Sequence, residues 1–233
     1  MWIVVAALLV FLSIPTGILL LGTGRPRPLV DQKGNSVPGS LSEKISVAIN
    51  GVDQGMFMRG KNPANPVLLF VHGGPGVPEY WLTARYPSRI EEYFTVCWWE
   101  QRGAGLSYQR DIPPESMTHE QFIADTIEVT NYLRERFGQE KIYLMAHSGG
   151  SLFAIQAAAR RPDLYHAYVG MAQMVYGLES ERLAQAYMLA RFRENGDHEA
   201  VRLLEANPVT LANPLPPAYD AVRDRFMHRL GIG

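Results

Sequence analysis

The stretch "KIYLMAHSGGSLFAIQAAARR", Lys141 to Arg161, changes character in its middle. Up to Ala146 it is a short apolar run of the kind a strand buried on both faces requires. From Ser151 it is alanine-rich and helical in pattern, and Pro162 stops it. Ser148 stands at the corner between the two. A serine on a sharp strand-to-helix turn has a strained backbone, and the residues two positions before and after it must be small to let strand and helix approach. Ala146 and Gly150 meet that demand. Such a turn lifts the hydroxyl above the sheet and sets the Gly149 N–H at a helix N-terminus, where a developing oxyanion is stabilised. A serine in this place is also a common helix N-cap, and the turn alone does not separate the two readings.

The flanking sequence repeats the alternation. "PVLLFV" (Pro66 to Val71) and "FTVCWW" (Phe94 to Trp99) are further continuous apolar runs, and "HAYVGMA" (His166 to Ala172) reads as another strand. Between the second and the Lys141 run lies "HEQFIADTIEVTNYLRERF", where Phe122, Ile123, Ile127, Thr130, Leu133 and Phe137 recur at helical spacing. Thr118 and Gln121 form a capping box before it, and Gly138 ends it. Upstream, "KISVAIN" and "QGMFMRG" read as two strands joined through the Asn50-Gly51 turn. Strands alternating with helices predict an α/β fold, a mostly parallel sheet with helices on both faces. Past Gly177 the pattern is helical through Asn207, then Pro-rich, then helical again from Asp220, and no buried strand returns after Met174.

In open parallel sheets ligands sit at the carboxyl ends of the strands. Three predicted strands deliver glycine-rich or polar turns there: "HGGPG" (His72 to Gly76), "EQRGAGLS" (Glu100 to Ser107) and "AHSGG" (Ala146 to Gly150). The flexible backbone of the first can aim N–H groups at the same oxyanion as the serine turn, so two separate motifs agree on acyl-transfer chemistry. In this order, "FVHGGPG", "WWEQRGAGLSY" and "LMAHSGGS" resemble the α/β-hydrolase superfamily, nearest to proline iminopeptidase-like serine hydrolases, over about residues 46–172.

The resemblance implies Ser148 as nucleophile, Gly74 and Gly149 as oxyanion donors with Gly73 beside them, and a helical cap after the sixth strand. His72, Glu100 and Arg102 are expected to brace the loops. Glu100 stands where the family pattern has aspartate. No metal or organic cofactor is expected. Because the nucleophile is a serine and not the aspartate of dehalogenases and epoxide hydrolases, the expected reaction is ester or amide hydrolysis of a small molecule or peptide. In the aminopeptidase subtype acidic cap residues bind the substrate's free amine, and Glu179 and Glu181 are open candidates for that part.

A serine needs a histidine base oriented by a carboxylate, and in this fold the order is Ser, acid, His. Only His166, His198 and His228 follow Ser148. The first opens a strand at the sheet's amino end; the other two fall on presumed cap helices. The expectation is therefore the front portion of a longer hydrolase, lacking acid and histidine and hydrolysing little by itself. Two other readings are a catalytically silent binding protein on the same scaffold and a dyad completed by His198 or His228.

Composition bounds the rest. The chain has 233 residues, 47% of them hydrophobic, enough for one main domain with a real core. With 22 basic against 23 acidic residues the net charge is −1, which argues against nucleic acid as a partner. A single cysteine, Cys97, excludes an internal disulfide. Residues 1–22 carry no charged side chain and are long enough to cross a bilayer. The run is a membrane segment or an export signal; with no basic residue ahead of it an uncleaved single-pass anchor is the expectation, and the following Arg25, Arg27 and Lys33 favour a cytoplasmic bulk. The expected division is an anchor at 1–22, a linker at 23–42, an α/β core at 43–176 and an incomplete helical cap at 177–233.

Overall fold

The computed structural model describes Gly24 and residues 26–74 and 76–232. The expected membrane anchor at 1–22 lies outside the described residues. Among those described, no helix is long and apolar enough to cross a membrane. Two compact units divide between Gln173 and Met174, three residues before the expected boundary.

The first unit is built on a six-stranded sheet: β1 (Leu41–Ile49), β2 (Val52–Gly60), β3 (Val67–Val71), β4 (Thr95–Trp99), β5 (Ile142–His147) and β6 (Tyr165–Met171), in the order β1-β2-β4-β3-β5-β6. β4, β3, β5 and β6 are mutually parallel, while β2 pairs antiparallel with β1 and β4. The β1–β2 hairpin turns at Asn50 (φ 46°) and Gly51 (φ 79°), the two positive dihedrals a type I′ turn demands. β1 starts at Leu41 and Leu29 is buried, so the segment expected as a linker is partly absorbed into the core unit.

All five residues of β3 and of β4 are buried, as central strands covered on both sides must be. On one face Val67, Leu69 and Val71 join Cys97, Trp99, Leu144 and Ala146 under Val129 and Leu133 of α2 (His119–Phe137) and Ala154 of α3 (Ser151–Arg160). On the other, Leu68, Phe70, Val96 and Trp98 meet Phe57, Phe94 and Tyr143, with Tyr80 of α1 (Tyr80–Arg85) stacked on Phe57 at 4.0 Å. Helices thus lie on both faces, one of them a single short turn-and-a-half that the sequence pattern does not announce. β6 is an edge strand, and Val169 and Met171 stand exposed on it.

α2 has the predicted limits. Thr118 Oγ1 accepts the Gln121 N–H at 3.1 Å, and Gly138 closes the helix at φ 62°. The reciprocal half of the capping box is not formed, because the Gln121 amide donates to Asp125 at 2.8 Å. The second unit holds α4 (Gly177–Glu194), α5 (His198–Ala206) and α6 (Pro217–Arg229) around Met188, Phe192, Leu204, Tyr219 and Phe226. The stretch that reads as one helix through Asn207 is two. Gly196 (φ 73°) breaks it, and Asp197 restarts it by accepting the Ala200 N–H.

Candidate active site

β5 delivers its last residue, His147, in extended conformation, and the chain then turns at Ser148 with φ 46° into the helical turn that leads to α3. Positive φ in a non-glycine residue costs on the order of 1–3 kcal/mol and persists only where the surroundings over-determine it. Glycines on the far side of the corner supply that determination. A Cβ on Gly149 would overlap the Gly74 carbonyl, and one on Gly150 would overlap the His72 carbonyl and stand 2.9 Å from that of Val71. The serine corner and the glycine loop after β3 are therefore in backbone contact. On the near side, a Cβ on Gly73 would lie 3.0 Å from the Ser148 Cβ. Ser148 itself is half-buried, and its carbonyl accepts the Ser151 hydroxyl at 2.5 Å.

The two glycines of the loop differ. The Gly73 N–H is spent on the Glu79 carboxylate at 2.9 Å, so Gly73 is not a free donor toward Ser148. Gly74 is exposed, with φ 112°. Its peptide plane is fixed by His72. The Gln101 backbone N–H donates to His72 Nε2 at 3.1 Å, which leaves the hydrogen on Nδ1, and Nδ1 donates to the Gly73 carbonyl at 2.8 Å. That carbonyl and the Gly74 N–H belong to one trans peptide and point opposite ways. Burial pushes the His72 pKa below its ordinary value, which keeps the ring in the neutral form this chain of bonds needs.

The loop after β4 is tied from below. Arg102 and Asp125, both buried, form a two-point pair at 2.8 and 3.0 Å. Asp125 also accepts from Asn50, Gln54 and Gln121, each at 2.8 Å, and so joins the hairpin turn, β2 and α2 to that loop. Glu100, buried, accepts the Leu106 N–H with Oε2. Burial raises its pKa, and the Leu106 bond pulls it partly back. A Cβ on Gly105 would overlap that carboxylate, so the longer side chain at position 100 is matched by the absence of one at 105. Sequence reasoning singles out neither Asp125 nor Glu79. Asp125 lies four residues ahead of Val129 and so on its side of the helix, the one local signal that marks it.

Histidines of the first unit are otherwise engaged. His119 meets Gln156 at 3.1 Å, His147 Nδ1 lies 2.7 Å from Glu79, and His166 packs on Tyr143 near the amino end of β5; none of these contacts is to Ser148. In the second unit His198 opens α5 and His228 sits in the last turn of α6. Glu179 pairs with Arg182 at 2.7 Å and Glu181 with Arg223 at 2.8 Å. Among the described residues no group of three or more His, Cys, Asp or Glu is placed to hold a metal ion. Cys97 is buried, and burial drives its thiol pKa far upward.

A parallel sheet flanked by an antiparallel hairpin, with a serine in a left-handed corner against a glycine loop, defines a class. The sequence profile of the alpha/beta hydrolase fold matches residues 66–201, and the chain belongs to that family. It is 41% identical over 154 residues to a probable aminopeptidase, YbaC, of Bacillus subtilis (strain 168), covering 64% of this chain and 48% of that protein. The chain thus spans about half the length of this curated relative. Among solved structures, the proline iminopeptidase-related protein of Thermus thermophilus is 23% identical with a TM-score of 0.50, covering 82% of this chain and 67% of its own. Epoxide hydrolase A of Mycobacterium thermoresistibile is 22% identical with a TM-score of 0.48, covering 64% and 49%.

Proposed function

We propose that the protein is a serine hydrolase that cleaves an ester or amide bond through Ser148. The observation that carries this reading is the left-handed backbone of Ser148 (φ 46°) in direct contact with the Gly73–Gly74 loop. Ser148 Oγ attacks the substrate carbonyl carbon and gives up its proton to a histidine held by a carboxylate. The carbonyl oxygen takes on negative charge, and the N–H groups of Gly74 and Gly149 receive it. The tetrahedral adduct collapses, the leaving amine or alcohol takes the proton, and water releases the acyl group from Ser148 by the same steps. Acid and base are not assigned to residues of this chain. The kinship with a probable aminopeptidase supports a substrate with a free N-terminal residue. The apolar run at 1–22 supports attachment to a membrane, checked by the partition of the full-length protein between membrane and aqueous fractions.

A fluorophosphonate probe tests the reaction. The full-length protein is expected to be labelled and Ser148→Ala is not. A folded protein that takes no label, or one that keeps it after Ser148→Ala, points instead to a silent binding scaffold in which Ser148 only opens a helix.

A further inference from the structure

We propose that Glu79 is the positioning residue of the oxyanion loop, a role that rests on reading Ser148 as the nucleophile. Glu79 precedes α1 and is six residues from Gly73 and 68 from His147 in sequence, yet one of its carboxylate oxygens, Oε1, touches both. It accepts the Gly73 N–H at 2.9 Å and lies 2.7 Å from His147 Nδ1. A carboxylate only accepts, so the His147 Nδ1 carries a hydrogen. The Glu79 side chain is 11% exposed, which makes these bonds less screened than a surface pair. Seen from Gly73, the Ser148 Cβ, the His147 ring and the Glu79 oxygen crowd one side: a Cβ there would lie 3.0, 3.2 and 3.3 Å from them.

Gly73 has no side chain to restrict its two torsions, so its flanking peptides are held only by their hydrogen bonds. The peptide before it is held at both ends, its His72 C=O by the Gln101 side-chain amide at 2.7 Å and its Gly73 N–H by Glu79, and the peptide after it by His72 through its C=O. Only when both are fixed does the Gly74 N–H have one direction. Because His147 is the residue before Ser148, the bond from Glu79 to its ring also ties the glycine loop to the end of β5 that carries the nucleophile. Glu79 therefore registers the Gly74 donor against the serine without touching the reacting atoms.

The test compares Glu79→Ala and Glu79→Gln in the full-length protein by two readouts. The first is the fluorophosphonate reaction, separated into the limiting rate of inactivation and the half-saturating probe concentration. Removing an oxyanion donor outright costs about 10²–10³ in rate, and loosening one should cost less, roughly tenfold to a hundredfold. Glu79→Ala is expected to lower the limiting rate by that factor with the half-saturating concentration unchanged. Glu79→Gln, whose amide oxygen can still accept the Gly73 N–H, is expected to recover the rate to within about threefold of wild type. The second readout is hydrogen exchange at Gly73, expected to be slow in the wild type and in Glu79→Gln and fast in Glu79→Ala, with the β5 amides unchanged. A wild-type limiting rate or unchanged Gly73 exchange in Glu79→Ala overturns the proposal, and so does Glu79→Gln reacting as slowly as Glu79→Ala. Absence of labelling in the wild type overturns the nucleophile reading instead, and the exchange measurement then still decides whether Glu79 holds the loop.

Discussion

Replacing Gly150 with alanine adds one methyl group at the point where the serine corner meets the loop after β3. That methyl carbon would overlap the His72 carbonyl oxygen and stand 2.9 Å from the Val71 oxygen, and both obstacles are backbone. Ordinary carbon–oxygen contacts are about 3.3–3.6 Å, so the two segments must part by roughly 0.5 Å at Val71 and by more at His72. Val71 is fully buried at the end of a central strand paired on both sides, and the corner is the start of α3, so neither yields cheaply. Overpacking of this kind costs about 1–3 kcal/mol. At about 2–4 °C per kcal/mol for a unit of this size, the melting temperature should fall by roughly 2–12 °C. Reactivity should suffer more, since a misplacement near 1 Å can cost about a hundredfold in rate. Calorimetry and fluorophosphonate labelling of the same preparation separate the two effects. A Gly150→Ala protein that melts with the wild type and is labelled at its rate would refute the contact between corner and loop, and the reading of Ser148 with it.

Asp125→Asn leaves Arg102 buried without its counter-charge and turns an amide group toward donors, and should cost about 3–5 kcal/mol by urea unfolding. Thr118→Ala removes the cap of α2 and should cost about 1 kcal/mol in the same assay. Because the His72 pKa is lowered in the folded protein, the unfolded chain binds the extra proton first as pH falls. Stability from this residue is complete above the ordinary histidine value of 6.5 and is lost as pH drops from there toward the lowered folded value, at no more than about 1.4 kcal/mol per pH unit. Subtracting the pH–stability curve of His72→Asn isolates it, and a difference that is flat below pH 6.5 would count against the buried neutral ring.

What can be seen in the sequence follows from the range of the interactions. The limits of α2 are legible because Thr118 and Gly138 act within one turn of the helix ends, and the Asn50-Gly51 turn because both residues tolerate positive φ. β3 and β4 are legible because burial on both faces leaves no polar position. α1 is too short to show a period, and its exposed Trp81 (61%) hides the buried side. The break at Gly196 lies inside a run whose flanks both favour helix, so periodicity carries through it. The serine corner is visible as a spacing of small residues. Glu79 is not, since nothing local distinguishes a glutamate whose partners arrive from two other strand ends.

Ser148 occupies a backbone well that most residues avoid, and the apposed glycine loop together with the Ser151 hydroxyl keeps it there. The proposed nucleophile thus depends on a loop contact as well as on the sheet beneath it. Mild denaturant should silence the serine while the central strands are still intact, so that loss of labelling precedes the cooperative transition and a fully helical, fully compact sample can already be chemically mute.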